Sequence, residues 1–166
     1  TFALGICNGC QVMSELKELI PGSEHWPKLE RNNSNRFEAR MVQVKINKSN
    51  SNFFNGMEGS QLLVPVNHGE GKMIFPEHVS AKKIISDNLV PMQFCTNKGI
   101  EAKEFPENPN GSTNGITAVT NDDGRFLIMM PHPERSFLNN QLSWTNEKGK
   151  HSPWFKLFLN ARNFYS

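Results

Sequence analysis

The sequence predicts an α/β fold, and three observations carry that prediction. An apolar lead-in, Phe2-Ala3-Leu4, runs through Gly5-Ile6-Cys7-Asn8-Gly9 into apolar residues at helical spacing, so a strand turns sharply into a helix with one side chain at the apex. Largely alternating apolar runs at 36–46, 61–67, 116–120 and 125–130 read as strands, the last two joined by the hairpin signal Asn121-Asp122-Asp123-Gly124. Helical patterns fall among and after these runs, at 76–89 and from Ser152 onward.

Composition narrows the class. A chain of 166 residues can build one domain with a real core. The formal net charge is +2 with Lys and Arg dispersed, so nothing indicates a nucleic-acid stripe. No apolar run approaches the roughly 20 residues that span a bilayer, and no signal peptide is visible. Three cysteines, an odd number, argue against a secreted disulfide scaffold and for a reducing cytoplasm. The chain opens on Thr1 and an apolar strand, which is expected of a segment from inside a larger protein.

The elements follow in order. The first strand leads to the turn. Gly5 and Gly9 are expected to leave room where strand and helix backbones crowd. Beyond it, Val12, Met13, Leu16, Leu19 and Ile20 fall at helical spacing, with Met13 and Leu16 read as core, and Pro21-Gly22 ends the helix. Residues 21–35 are loop-like. The strand at 36–46 follows, then a polar turn at 47–52 and a small core contact at Phe53-Phe54. The strand at 61–67 ends in Asn67-His68-Gly69-Glu70-Gly71, a glycine-flanked polar tip that either holds backbone close to a ligand or is an ordinary turn. A return strand is expected at 72–75, a helix at 76–89 and a short strand at 90–95. Residues 106–115 are loop. After the hairpin and a loop at 139–150, Ser152-Pro153 is expected to open the last helix as N-cap and first helical residue, with Trp154, Phe155, Phe158, Leu159 and Phe164 as core.

Two places carry chemistry. Cys7 stands before a helix N-terminus, where unpaired N–H groups and the helix dipole favour thiolate over thiol. A buried small hydrophobe, or a redox pair with Cys10, is the competing reading. Zinc lacks a second ligand pair, since Cys95 is alone and no His-x₃₋₅-His occurs. In Met130-Pro131-His132-Pro133-Glu134-Arg135 the prolines bias Met130 and His132 away from helix. In extended chain His132 and Glu134 face one way, so the carboxylate can accept from one ring nitrogen while the other faces a nucleophile. A solvated pair at a loop edge is the plainer alternative. Gln11, in the first helical turn, either contacts substrate or caps backbone; His68 by itself reads as a surface or satisfied histidine.

The stretch Gly5-Ile6-Cys7-Asn8-Gly9-Cys10-Gln11 together with Pro131-His132-Pro133-Glu134-Arg135 resembles the class I, triad-type glutamine amidotransferases. Val66-Asn67-His68-Gly69-Glu70-Gly71, Asn108-Pro109-Asn110-Gly111-Ser112, Met129 to Arg135 and Ser152-Pro153-Trp154 resemble the glutaminase domain of large-type phosphoribosylformylglycinamidine synthases. The resemblance implies a flavodoxin-like three-layer sheet with helices on both faces and an antiparallel excursion. It implies Cys7 as nucleophile, His132 as proton carrier, Glu134 as its orienter and the Asn8 N–H as oxyanion donor. Gln11, Asn67, Gly69 and Glu70 match positions lining the glutamine pocket in related amidotransferases. No cofactor or metal is implied in this segment. The implied partners are glutamine and, through an ammonia channel, an ATP- and magnesium-dependent synthetase domain of the same polypeptide, with no nucleic acid or membrane involved.

The family domain has strands and a Gly-rich oxyanion loop before the nucleophile strand, so residues 1–166 are expected to form the C-terminal portion of the glutaminase domain. Alone they are expected to show little glutaminase activity and poor stability. Two other functions stand beside this one. A cysteine or thioester hydrolase would share the turn without needing the Asn67 tip. A non-catalytic partner-binding or redox module would pair Cys7 with Cys10.

Overall fold

The computed structural model describes residues 1–146 and 148–165. Its strands and helices run β1 (Ala3–Ile6), α1 (Asn8–Glu15), β2 (Lys28–Glu30), β3 (Glu38–Ile46), β4 (Gln61–His68), β5 (Lys72–Ile74), α2 (Ala81–Ser86), β6 (Met92–Phe94), β7 (Ile116–Thr120), β8 (Phe126–Met129) and α3 (Phe155–Asn163). Six strands form one sheet in the order β1-β8-β7-β6-β3-β4, and β2 pairs with β5 in a separate ribbon. Among the described residues only β1 and β8 pair in parallel, Ile6 opposite Met129; the other neighbours in the sheet are antiparallel.

Period-2 alternation builds two cores from one sheet. Ala118, Leu127 and Met129 join Val42, Val44, Val64, Val66 and Phe94 in a core closed by Trp154 and Leu157. The intervening Val119, Ile128 and Met130 join Cys10, Trp26, Met73 and Ile84 in the other. Burial on both faces explains why β8 is apolar throughout and why β7 carries no charged residue. The result is a three-layer α/β arrangement, as expected. Trp154 is also fastened across layers, its Nε1–H donating to Leu63 O at 2.7 Å.

Several local expectations change. Residues 28–30, expected as loop, form β2, whose partner is β5; the return strand at 72–74 therefore leaves β4 and joins another ribbon. The helix expected over 76–89 shrinks to Ala81–Ser86, capped by the Ser80 hydroxyl accepting from Lys83 N–H. Helix α1 stops at Glu15 and a 3₁₀ turn follows at Lys17–Leu19. The assignment of Leu16 to the core is overturned: it is 49% exposed, and Val12 and Leu19 are exposed as well. Cys10 and Ser14 face inward instead, with Met13 half-buried. The cause is the contact at Gly5, which fixes how the helix is rotated on the strand. A Cβ there would lie 2.6 Å from Gly9 O and 2.7 Å from Met13 Sδ.

Gly9 itself has no such constraint, since a Cβ would meet nothing within 4 Å. The crowding job falls on Gly5 alone. The last helix starts at Phe155, two residues later than expected, because Ser152 and Pro153 form the turn before it and the Ser152 hydroxyl accepts from Trp154 N–H. Leu157 takes the deep position, while Leu159 and Phe164 are each 40% exposed. The loop expected over 139–150 includes position 147, outside the described residues, and has a 3₁₀ turn at Asn139–Gln141. Among the described residues no helix is long and apolar enough to cross a membrane.

Candidate active site

Cys7 sits between β1 and α1 with φ 52° and ψ −108°, a left-handed conformation that side-chain-bearing residues rarely adopt. The strain is held on both sides. Its N–H donates to Met129 O at 2.9 Å and its C=O accepts from Gln11 N–H at 3.0 Å, so the turn is welded to β8 behind and to the first helical turn ahead. This is the strand–turn–helix geometry that lifts a nucleophile to an apex.

The parallel register brings the second motif to the same end of the sheet. With Ile6 beside Met129, the chain leaves β8 next to the place where it leaves β1. His132 is fixed there by its N–H donating to Pro65 O of β4 at 2.8 Å. Its ring is buried, and Nδ1 lies 2.6 Å from Glu134 Oε1. The route to that pairing differs from the expectation. Pro133–Arg135 form a 3₁₀ turn rather than extended chain, with proline at its first position, and the tight turn returns the carboxylate to the ring. A carboxylate only accepts, so in the neutral ring this contact puts the proton on Nδ1 and the lone pair on Nε2. That Nε2 is buried and has no hydrogen-bond partner among the described residues. Glu134 also pairs with Arg135 Nε at 3.5 Å.

The end of β4 makes the third side. The Cys7 thiol donates to Asn67 O at 3.8 Å, and the Gln11 side-chain amide donates to Glu70 O at 2.8 Å. Gly69 C=O accepts from Asn32 N–H at 2.9 Å, and the Glu70 carboxylate, exposed, pairs with Arg31 at 3.7 Å. The residues singled out from the sequence therefore gather around the ends of β1, β8 and β4.

The electrostatics modify one expectation. Burial pushes the Cys7 thiol above its ordinary range. The Asn8 backbone N–H and the Arg135 cation pull it down, and Glu134 adds to the upward push. Desolvation wins over the helix N-terminus, so the resting group is a thiol that needs a base. Burial likewise raises Cys10 and Cys95, and all three cysteines are free thiols. His68 is not a surface residue. Burial, then the neighbouring His132, lowers its pKa to about 4, so it stays neutral.

Sequence reasoning missed Asn32 and Asn110. Asn32 accepts Gly71 N–H at 3.1 Å on Oδ1, and Asn110 donates to Gly71 O at 2.7 Å. For Asn110 the signals were the turn chemistry of Asn108-Pro109-Asn110-Gly111-Ser112 and that stretch's resemblance to the family domain; nothing in the sequence marked Asn32. Among the described residues no group of three or more His, Cys, Asp or Glu could hold a metal ion.

Comparison with known proteins points the same way. The family model for the CobB/CobQ-like glutamine amidotransferase domain matches residues 1–165. The structure of PurLQS from Thermotoga maritima is similar at a TM-score of 0.69 and 23% identity, over 98% of this chain and 61% of that one. A protein from Thermoplasma acidophilum, described as part of a GMP synthase, is similar at 0.51 and 13%, over 98% of this chain and 59% of that one. The chain thus spans about three fifths of the length of each of these proteins.

Proposed function

This chain belongs to the CobB/CobQ-like glutamine amidotransferase domain family, and on that premise we propose that it is the glutaminase part of a phosphoribosylformylglycinamidine synthase. One observation carries the chemistry: a strained apex cysteine at the same end of the sheet as a buried His132 whose Nδ1 lies 2.6 Å from the partly exposed carboxylate of Glu134. In this reading His132 Nε2 takes the thiol proton and Cys7 Sγ attacks the side-chain amide carbon of glutamine. The Asn8 N–H donates to the oxyanion; removing one donor of this kind costs about 2.7–4 kcal/mol of barrier. The C–N bond then breaks, the proton passes from His132 to the leaving nitrogen, and ammonia and a glutamyl thioester result. Water, deprotonated by His132 Nε2, attacks the thioester carbon; the C–S bond breaks, the proton returns from His132 to Sγ, and glutamate and the free thiol result. Glutamine is held by Gln11, Asn67, Gly69 and Glu70.

The ammonia passes to an ATP-dependent synthetase domain, which uses magnesium and converts formylglycinamide ribonucleotide to formylglycinamidine ribonucleotide in cytoplasmic purine synthesis. The motif set of the sequence and the likeness of fold to PurLQS support this assignment. The glutaminase domain of another class I amidotransferase is the second reading. The weaker likeness to the Thermoplasma protein, TM-score 0.51 against 0.69, favours it less. A related cysteine hydrolase is the third; a panel of γ-glutamyl and peptide substrates separates it.

Cys7→Ser in the complete protein is the test. Glutamine-dependent product formation should vanish while formation from supplied ammonia persists. Loss of both, or of neither, contradicts the role given to Cys7.

A further inference from the structure

The tip after β4 leaves the sheet, yet each of its carbonyls has a partner. His68 C=O accepts from Asn32 Nδ2 at 2.8 Å and Gly69 C=O from Asn32 N–H at 2.9 Å. Glu70 C=O accepts from Gln11 at 2.8 Å, and Gly71 C=O from Asn110 Nδ2 at 2.7 Å. Gln11 reaches in from helix α1. Ser112 Oγ adds a longer bond to Gly71 O at 3.5 Å, and the rest of the hold comes from two fully buried asparagines that contact neither Cys7 nor His132 by any hydrogen bond among the described residues.

Asn32 has no spare capacity. Nδ2 donates to Arg36 O and His68 O, and Oδ1 accepts Gly71 N–H at 3.1 Å. With the amide orientation so fixed, the Nδ1 of His68, 3.3 Å from Oδ1, must carry its proton and donate. Asn110 is locked in turn: its Oδ1 accepts from Ser112 N–H at 3.0 Å and from the Ser112 hydroxyl at 2.7 Å. Asn33 N–H donates to Asn110 O at 3.1 Å, tying the two segments together. Gly111 permits the close pass with φ +80°, where a Cβ would collide with the Asn33 side chain.

We propose that Asn32 and Asn110 are positioning residues for glutamine, holding the 68–71 backbone in its binding shape before substrate arrives. The proposal rests on the reading that Gly69 and Glu70 line the glutamine pocket. A buried side-chain amide that satisfies a turn from behind fixes its backbone more tightly than solvent can, because an unsatisfied buried partner is costly. Recognition of glutamine then depends on residues that never touch it.

The test compares two reagents at Cys7 in the complete protein: a diazoketone analogue of glutamine, which must use the pocket, and iodoacetamide, which needs only the thiol. Asn110→Asp removes the shorter of the two donors to Gly71 O, leaving the Ser112 hydroxyl at 3.5 Å, and Asn32→Asp removes the donors to Arg36 O and His68 O. In each variant the analogue should react about tenfold more slowly, the scale of one lost hydrogen bond, while the iodoacetamide rate stays within about twofold. KM for glutamine should rise by the same factor and ammonia-dependent turnover should hold. Equal slowing of both reagents, or of neither, overturns the proposal. Wild-type protein gives a readout that needs no variant: Gly71 N–H should be protected from hydrogen exchange without glutamine present. Exchange that slows only when the analogue is bound overturns the preformed wall. If the analogue fails to label wild-type Cys7, the glutaminase reading falls and takes the proposal with it. Wild-type labelling with unaltered variants defeats the proposal alone.

Discussion

Cys7 pairs a strained backbone with a thiol that burial keeps protonated. The sign of that shift has a consequence. A raised pKa means that the thiolate fraction at neutral pH is small and grows with pH past the midpoint of an ordinary cysteine, about 8.5. Alkylation of Cys7 by iodoacetamide, followed by mass spectrometry, should therefore keep rising above that pH. A rate that levels off below it would show that the helix N-terminus outweighs burial. In the proposed mechanism, activity at neutral pH comes from His132 as base. In that mechanism Glu134, with its oxygen 2.6 Å from Nδ1, orients the ring so that Nε2 of the neutral imidazole faces the thiol. Glu134→Gln keeps the size and removes the charge. Glutamine-dependent turnover in the complete protein should fall by roughly 10²–10⁴-fold, the worth of a well-placed acid–base group. An unchanged rate would mean that the ring needs no orienter.

At the scale of the element, the strand–turn–helix unit separates two glycines that look alike in sequence. Gly5→Ala places a methyl against Gly9 O and Met13 Sδ, both backbone-anchored or tightly packed. Overpacking of this kind costs about 1–3 kcal/mol, or roughly 2–12 °C in Tm for a chain of this size. Gly9→Ala meets open space at a helical position, so Tm should hold or rise slightly. Thermal melts of both variants check the pair, and an equal loss at both would contradict the rotation of α1 described above. That rotation was hidden from the sequence. Val12, Leu16 and Leu19 form an apolar stripe as good as any, but the close pass at Gly5 turns Cys10 and Ser14 inward instead. Periodicity finds a helix; it does not choose between rival faces when a steric contact does.

For the molecule as a whole, the sequence foretold the alternation on the long strands, the β7–β8 hairpin and the cysteine turn, because each is dictated by neighbours in the chain. It foretold Cys7, His132 and Glu134 as candidates for the same reason: a glycine frame and a proline frame mark them locally. It did not foretell the β2–β5 ribbon, whose short strands acquire meaning only through each other. Nor did it foretell Asn32 and Asn110, which lie far apart in sequence and converge on Gly71 only in the fold. Long-range hydrogen bonds of single polar side chains leave no periodic trace.

In the proposed function the ends of β1, β8 and β4 together make one glutamine-directed nucleophile. Mass spectrometry of the complete protein after brief exposure to a diazoketone analogue of glutamine tests it most directly. A single adduct is expected, on Cys7, with the buried thiols of Cys10 and Cys95 untouched, protection by excess glutamine, and strong slowing in His132→Ala. No adduct on Cys7, or one that forms equally fast without the imidazole, would contradict it.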